Sequence, residues 1–244
     1  MKKIQLILTI FIFGVMIVPA YAGLIFFQDF DSETPGAFPA SWEKRSINST
    51  PVWDDIFFIA EDPLRSGNSA KYIDATRFNG YAPYREFDPQ YAQLIVEFDM
   101  MQLSGDDDLS FYAEDGNLNG ANVYFSTTKI EAITGYSTRV NVAPLTLNEW
   151  YHIKFDIDIP SNTYDIYVNG TKAIEDVGFR IGLGFTEAES IKQVAMGGAG
   201  TPTYSGYIDN VSVSSTGDVV PEPATMFLLL TGLFGFSFLR KTSR

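Results

Sequence analysis

The chain has no cysteine and a single histidine, His152, among its 244 residues. Without thiols there is no disulfide framework, no thiolate metal site and no cysteine nucleophile. A lone histidine excludes a multi-histidine zinc centre, and any Ser-His-Asp triad has to use that one residue. No Gly-x-Ser-x-Gly elbow accompanies it. Basic residues are also scarce: 17 Lys and Arg stand against 30 Asp and Glu, for a formal net charge of −13. Five of those cations, Lys2, Lys3, Arg240, Lys241 and Arg244, lie in the terminal segments, so the remainder is more acidic still. Such a surface repels phosphate backbones and anionic lipid, which excludes nucleic acid as a partner and leaves divalent cations and neutral glycans. No long amphipathic helical pattern occurs between residues 23 and 220.

What is present begins at the ends. Lys2 and Lys3 precede an apolar run from Ile4 to Val18, and Ala20-Tyr21-Ala22 follows. That is the layout of a secretory signal helix, residues 1–22, with cleavage expected after Ala22. At the other end an uncharged run extends from Ala224 to Leu239. As a helix rising ~1.5 Å per residue it covers roughly 24 Å, somewhat less than the ~30 Å hydrocarbon core of a bilayer. Its Leu and Phe residues run all the way round instead of along one stripe, which favours a membrane-held helix over a core helix. Asp218 and Glu222 precede the run and three cations follow it, so the positive-inside rule leaves the tail cytoplasmic and the body outside. Residues 216–220 form the linker. Pro221-Glu222-Pro223, the apolar helix and the basic end together resemble the PEP-CTERM sorting signal, residues 221–244, of Gram-negative bacteria that make extracellular polysaccharide. The resemblance implies export to the cell surface or extracellular matrix and processing by exosortase, a membrane enzyme, with the helix holding the chain in the membrane beforehand.

Between the ends, short alternating runs such as "LIFFQDF", "YAQLIVEFDMMQL", "DLSFYAE" and "YHIKFDIDI" recur between Gly, Pro, Asn and Asp clusters, and aromatics make up 15% of the chain. The pattern predicts one all-β domain over 23–215, an antiparallel β-sandwich or barrel. "GFTEAESIKQ" is expected to hold one short turn of helix. Asn169-Gly170 supplies the positive φ angles of a type I′ turn, so "TYDIYV" and "TKAIEDV" pair antiparallel and extend "YHIKFDIDI" into a three-stranded meander. Period two places His152 on the outward face of its strand with Lys154, Asp156 and Asp158, a solvated position. Asp106-Asp107-Asp108 reads as a solvated acidic turn.

The stretch "NEWYHIKFDIDIPSNTYDIYVNGTKAIED" resembles the central hairpins of laminin-G-like and concanavalin A-like jelly rolls, and "FFQDFDSETPGAFPASWE" and "GYIDNVSVSS" resemble their opening and closing strands. The likeness covers about residues 24–215 and implies a jelly-roll sandwich. The same fold houses retaining glucanases, whose signature is Glu-x-Asp-x-x-Glu or Glu-x-Asp-x-Glu on a concave strand. Here "VEFDMMQ" sets Glu97 at the nucleophile position, Asp99 at the assisting position and Gln102 where the acid/base carboxyl belongs. Retention needs two carboxyl groups, so the resemblance implies a disabled hydrolase and no enzyme. In calcium-bearing carbohydrate-binding jelly rolls an acid of the opening strand and an Asp of the closing strand share one ion. The matching positions are Asp29 and Asp209, giving a candidate structural Ca²⁺ site.

Trp42, Trp53, Tyr81, Tyr84, Tyr136 and Tyr204 stand in loop-like contexts, where rings either stack on sugar faces or form a half-buried rim. The expected function is an exported, surface-handled, non-catalytic β-sandwich protein, carbohydrate-binding or structural in the extracellular polysaccharide matrix. The alternative is a divergent glycan hydrolase of the retaining β-glucanase type.

Overall fold

Tyr151, Ile153, Phe155 and Ile157 are buried and His152 is exposed, so the chain from Tyr151 to Asp158 shows one apolar and one polar side. That alternation makes a strand, because successive side chains leave a pleated backbone on opposite faces. Repeated along the sequence, it builds two antiparallel sheets in the computed structural model, which describes residues 23–46, 56–74, 81–104, 108–182, 187–199 and 204–216.

Numbered in chain order, sheet A runs β13 (Thr171–Gly178), β12 (Thr163–Val168), β11 (Tyr151–Asp158), β6 (Gln93–Ser104), β15 (Tyr204–Ser215), β4 (Asn68–Asp74) and β3 (Phe57–Glu61). β1 (Gly23–Gln28) also pairs with β15. Sheet B runs β10 (Thr138–Pro144), β9 (Lys129–Thr134), β8 (Gly120–Phe125), β7 (Asp108–Glu114), β14 (Ile191–Ala199), β5 (Tyr81–Gln90) and β2 (Glu43–Ser46). These strands form one compact unit, Gly23–Ser215. The signal segment, the sorting tail, Trp53, Asp106 and Asp107 lie outside the described residues. Among the described residues no helix is long and apolar enough to cross a membrane. The expected helical turn is corrected in its described part: residues 187–190 form no helix, and β14 begins at Ile191.

The sheets meet through their apolar faces. Phe98 of sheet A stacks on Phe111 of sheet B with ring centroids 3.8 Å apart, and Phe155 meets Phe98 edge-on at 5.5 Å. Truncating one such buried ring to Ala costs about 3–5 kcal/mol. The β12–β13 turn has Asn169 at φ 50° and Gly170 at φ 78°, the positive angles that Asn-Gly supplies for a right-twisted hairpin.

β15 positions the rest of sheet A. One of its edges carries β6; the other carries β4 along Tyr204–Ile208 and then β1 along Val211–Ser215. At the changeover the register slips between Asp209, opposite Asp99, and Ser212, opposite Glu97, and Asn210 takes φ 51°. A bulge of this kind re-aims side chains. Here it turns Asn210 toward β6.

Candidate functional site

The open face of sheet A brings together four residues that the sequence marks singly: Glu97, Asp99, His152 and Asp209. His152 pairs with Asp99 across β11 and β6, and Asp209 pairs with Asp99 across β15 and β6. His152 Nδ1 lies 2.8 Å from Asp99 Oδ1, and since an ionised carboxylate only accepts, Nδ1 carries the proton. Arg65 Nη1 donates to Asp99 Oδ2 at 2.6 Å and Asn210 Nδ2 to the same oxygen at 3.0 Å. The Arg65 guanidinium lies 4.4 Å over the Trp150 ring, and Asp62 Oδ1 accepts the Leu64 and Arg65 N–H groups. The β3–β4 loop is thus clamped onto the face.

This arrangement is saturated. Burial opposes ionisation of Asp99, but the hydrogen bonds from Arg65, Asn210 and His152 outweigh it and hold the carboxyl below its ordinary range. Asp209 goes the other way: burial, then the charges of Asp99 and Asp31, push it up to about 7 against the pull of the Asn210 N–H and of Arg65. His152 does face outward, yet it is an Asp99 partner as well as a solvated side chain. Gln102 departs from the glucanase pattern in place as well as in chemistry: it is fully buried, on the interior side with Met100.

The donor set around Asp209 fits a hard cation poorly. Its Oδ1 accepts the Asn210 N–H at 2.8 Å and its Oδ2 the Asn210 side-chain amide at 3.3 Å. Asp29 Oδ1 accepts the Asp31 N–H at 3.3 Å. The acids whose charge reaches Asp209 are Asp99 and Asp31, and Arg65 already sits among them. Among the described residues no group of three His, Cys, Asp or Glu converges as metal ligands.

The six aromatic candidates separate. Trp42 is a core residue: it is 5% exposed and packs 5.2 Å from Phe57 and 6.3 Å from Phe30, so its ring faces no sugar. Tyr136 is exposed in the β9–β10 turn. Tyr81 and Tyr204 open β5 and β15, and their side chains, like Trp53, lie outside the description. Tyr84 stands on the outward face of sheet B, where its OH donates to Glu43 Oε2 at 2.9 Å.

That face carries chemistry the sequence does not announce. Leu109, Phe111 and Ala113 of β7 face the core, so Ser110, Tyr112 and Glu114 face out, joined by Asn122 and Tyr124 of β8 and Gln193 and Ala195 of β14. Tyr84, Ala195 and Tyr112 make one row across three strands; Glu86, Gln193 and Glu114 make the next. The Tyr112 and Tyr124 hydroxyls are 2.9 Å apart with rings perpendicular, and Arg180 Nη1 donates to Tyr124 OH at 2.6 Å. Burial pushes the Tyr124 phenol far above its usual range, so it stays neutral.

Arg45, Arg139 and Arg180 lie 5.6, 5.5 and 5.4 Å over the rings of Tyr84, Tyr124 and Tyr112. Glu114 is 1% exposed; its Oε1 takes Arg45 Nη2 and Gln193 Nε2, each at 2.7 Å. Its Oε2 and the Nε of Arg180 are buried without a protein partner. Arg180 reaches the face because its backbone bonds Gly120 in both directions at 3.0 Å. Gly120 has φ 144°, and a Cβ there would run into the Ala113 carbonyl. The sequence signal for this face is weak: the outward positions of "DLSFYAE" read as an ordinary polar side, with Tyr112 its one aromatic ring. Arg180, just past β13, has no such signal.

Glu114 Oε2 can accept and Arg180 Nε can donate, the two roles that a hydroxyl combines.

Comparison with known proteins agrees with this architecture. The profile of Laminin_G_3, the concanavalin A-like lectin/glucanases superfamily, matches residues 84–217, more than half of the chain. The PEP-CTERM protein-sorting motif matches residues 219–241. That motif marks an exported, cell-surface-associated protein of a Gram-negative bacterium and implies processing by exosortase, a membrane enzyme. No curated relative matches in sequence.

Among solved structures, a sialidase superposes with a TM-score of 0.60 at 19% identity over 80% of this chain, which spans only 19% of that protein. The carbohydrate esterase vb_24B_21 of the Shiga toxin-encoding bacteriophage phi24B gives 0.56 at 10% identity, covering 80% of this chain and 99% of the other. The catalytic domain of a glycoside hydrolase family 131 protein from Coprinopsis cinerea gives 0.51 at 13% identity, covering 78% and 94%. At such identities the likeness is one of fold. By its sequence profile, its two-sheet topology and its sorting motif, the chain is an exported member of the concanavalin A-like lectin/glucanases superfamily.

Proposed function

We propose that the protein is a non-catalytic glycan-binding component of the extracellular polysaccharide matrix, and that the outward face of sheet B takes the hydroxyls of a neutral sugar. The observation that carries this reading is Glu114, a buried charge on the solvent side of a sheet with one oxygen unpartnered among tyrosines and arginines. Buried polar groups ordinarily find partners, so an acceptor and a donor left over on one sheet face support a ligand site there. The Arg45 side chain, 26% exposed, holds the other carboxylate oxygen from the solvent side. Fold relatives that act on carbohydrates support the class of ligand. The test is a neutral-glycan array followed by calorimetry on the purified chain. Tyr84→Ala and Arg180→Lys are each expected to weaken binding about tenfold, the effect of ~1.4 kcal/mol. Binding unchanged in both, or no glycan bound at all, overturns the reading.

A second reading has one observation in its favour: Asp209, protonated up to about pH 7, stands opposite Asp99 and one bulge away from Glu97, as a general acid near a carboxylate would. It is distinguished by sugar release from β-glucan that disappears in both Glu97→Gln and Asp209→Asn.

A further inference from the structure

Paired rows define one end of the sandwich. In sheet A, Gly23 pairs with Ser215 and Ser215 with Leu94; Gln93 pairs with Asp158, Asp158 with Thr163, and Thr163 with Gly178. In sheet B, Gln90 pairs with Ile191, and Arg180, two residues past Gly178, bridges Gly120 and Gly135. The first strand therefore begins, and the last strand ends, at the end that also carries the β5–β6 turn with Tyr91 and the β9–β10 turn with Tyr136.

The same end exposes apolar side chains. Five large hydrophobic residues are exposed among those described: Leu24 at 67%, Phe27 at 50%, Leu64 at 60%, Tyr91 at 66% and Tyr136 at 60%. Leu24, Tyr91 and Tyr136 sit at this end. Phe27 lies farther along β1, and Leu64 lies in the loop that Arg65 fixes over Asp99. Asp99 is five residues along β6 from Leu94, roughly 17 Å from the terminal row at ~3.3 Å per residue.

The chain beyond Ser215 sets what this end meets. The sorting motif begins at residue 219, and the apolar run begins at Ala224. Residues 216–223 reach at most roughly 28 Å fully extended. β6 alone, with 12 residues, is roughly 40 Å long. While the apolar run is in a membrane, the tether is shorter than the sandwich, so the end carrying Ser215 is held near the bilayer.

We propose that this end is a membrane-facing surface, with Leu24, Tyr91 and Tyr136 resting in the interfacial layer of a zwitterionic bilayer until the tail is processed. Tyrosine suits that layer, with an apolar ring and a hydroxyl that stays wet. The acids nearby, Asp88, Asp115, Asp158, Glu187 and Glu189, select a zwitterionic over an anionic lipid surface. The inference is independent of the glycan reading, since Leu24, Tyr91 and Tyr136 make none of the contacts on which that reading rests.

The cysteine-free chain makes the test direct. Tyr91→Cys, Tyr136→Cys and, as the reference, Leu64→Cys are each labelled with an environment-sensitive fluorophore in the full chain, reconstituted in phosphatidylcholine vesicles through its tail. The labels at 91 and 136 are expected to shift to the blue and to be quenched by headgroup-depth spin-labelled lipid at least threefold more than the label at 64. Labels at 91 and 136 as water-like as at 64 overturn the proposal. A blue shift without lipid quenching also overturns it, assigning the surface to a second copy of the chain.

Discussion

Glu97 and Gln102 project from opposite faces of β6. Glu97 stands on the open face of sheet A and Gln102 in the interior, because an odd interval separates them and the pairing of β6 with β11 and then β15 is unbroken from Gln93 to Gln102. Restoring a carboxyl at position 102 therefore restores no catalytic pair. Gln102→Glu is expected to release no reducing sugar from β-glucan and to lower the unfolding free energy by about 3 kcal/mol, the scale of an unpaired buried charge. Denaturant titration and a reducing-sugar assay check both, and activity gained by this variant refutes the assignment of faces.

Asp99 holds Arg65, His152 and Asn210 at once. Asp99→Ala is expected to cost about 2–3 kcal/mol, less than the ~3–5 of a fully dry pair because Arg65 and His152 keep contact with water. The carboxyl is held below its ordinary value in the fold, so its contribution is complete above the unfolded value near ~4 and fades as pH falls through the folded one. Below pH 4 the wild type and variant should converge in denaturation midpoint; a gap that persists at pH 2 would show that the network is not electrostatic.

Asp209 has the opposite sign. Its folded value of about 7 lies above the unfolded one near ~4, so the fold favours the protonated form, and that contribution is lost as pH rises through 7. Asp209→Asn keeps the neutral shape and lacks the loss. Its melting temperature relative to wild type should rise between pH 5 and pH 8. Parallel melting curves at the two pH values count against a raised Asp209.

Calcium is expected to leave the melting temperature unchanged between excess chelator and millimolar Ca²⁺, since Arg65 and the Asn210 amide already meet the charge and lone pairs of Asp99 and Asp209. A cation bound to the native state alone would raise it with concentration. A rise that vanishes in Asp209→Ala would return the ion to this place.

The hairpin at Asn169-Gly170 was readable because its turn chemistry is local. So was the outward side of His152, which follows from period two. Its partner was not, since pairing His152 with Asp99 needs the register of two strands far apart in sequence. Trp42 misleads for a related reason: flanked by Pro39 and Glu43 it reads as a loop residue, but Phe30 and Phe57 close over it from elsewhere in the chain. The sheet B face depends on Arg180 arriving from beyond β13 and on Gly120 admitting it, a meeting that no single stretch encodes.

The strand that finishes the chain's body stands in the middle of sheet A, where β6, β4 and β1 all lean on β15. A polypeptide emerging N-terminus first cannot close that sheet until residues 204–215 have followed, and β1 waits unpaired through nearly the whole domain for its partner. Contacts so distant in sequence form slowly. The sheet is therefore complete in sequence only at Ser215, four residues before the sorting motif begins.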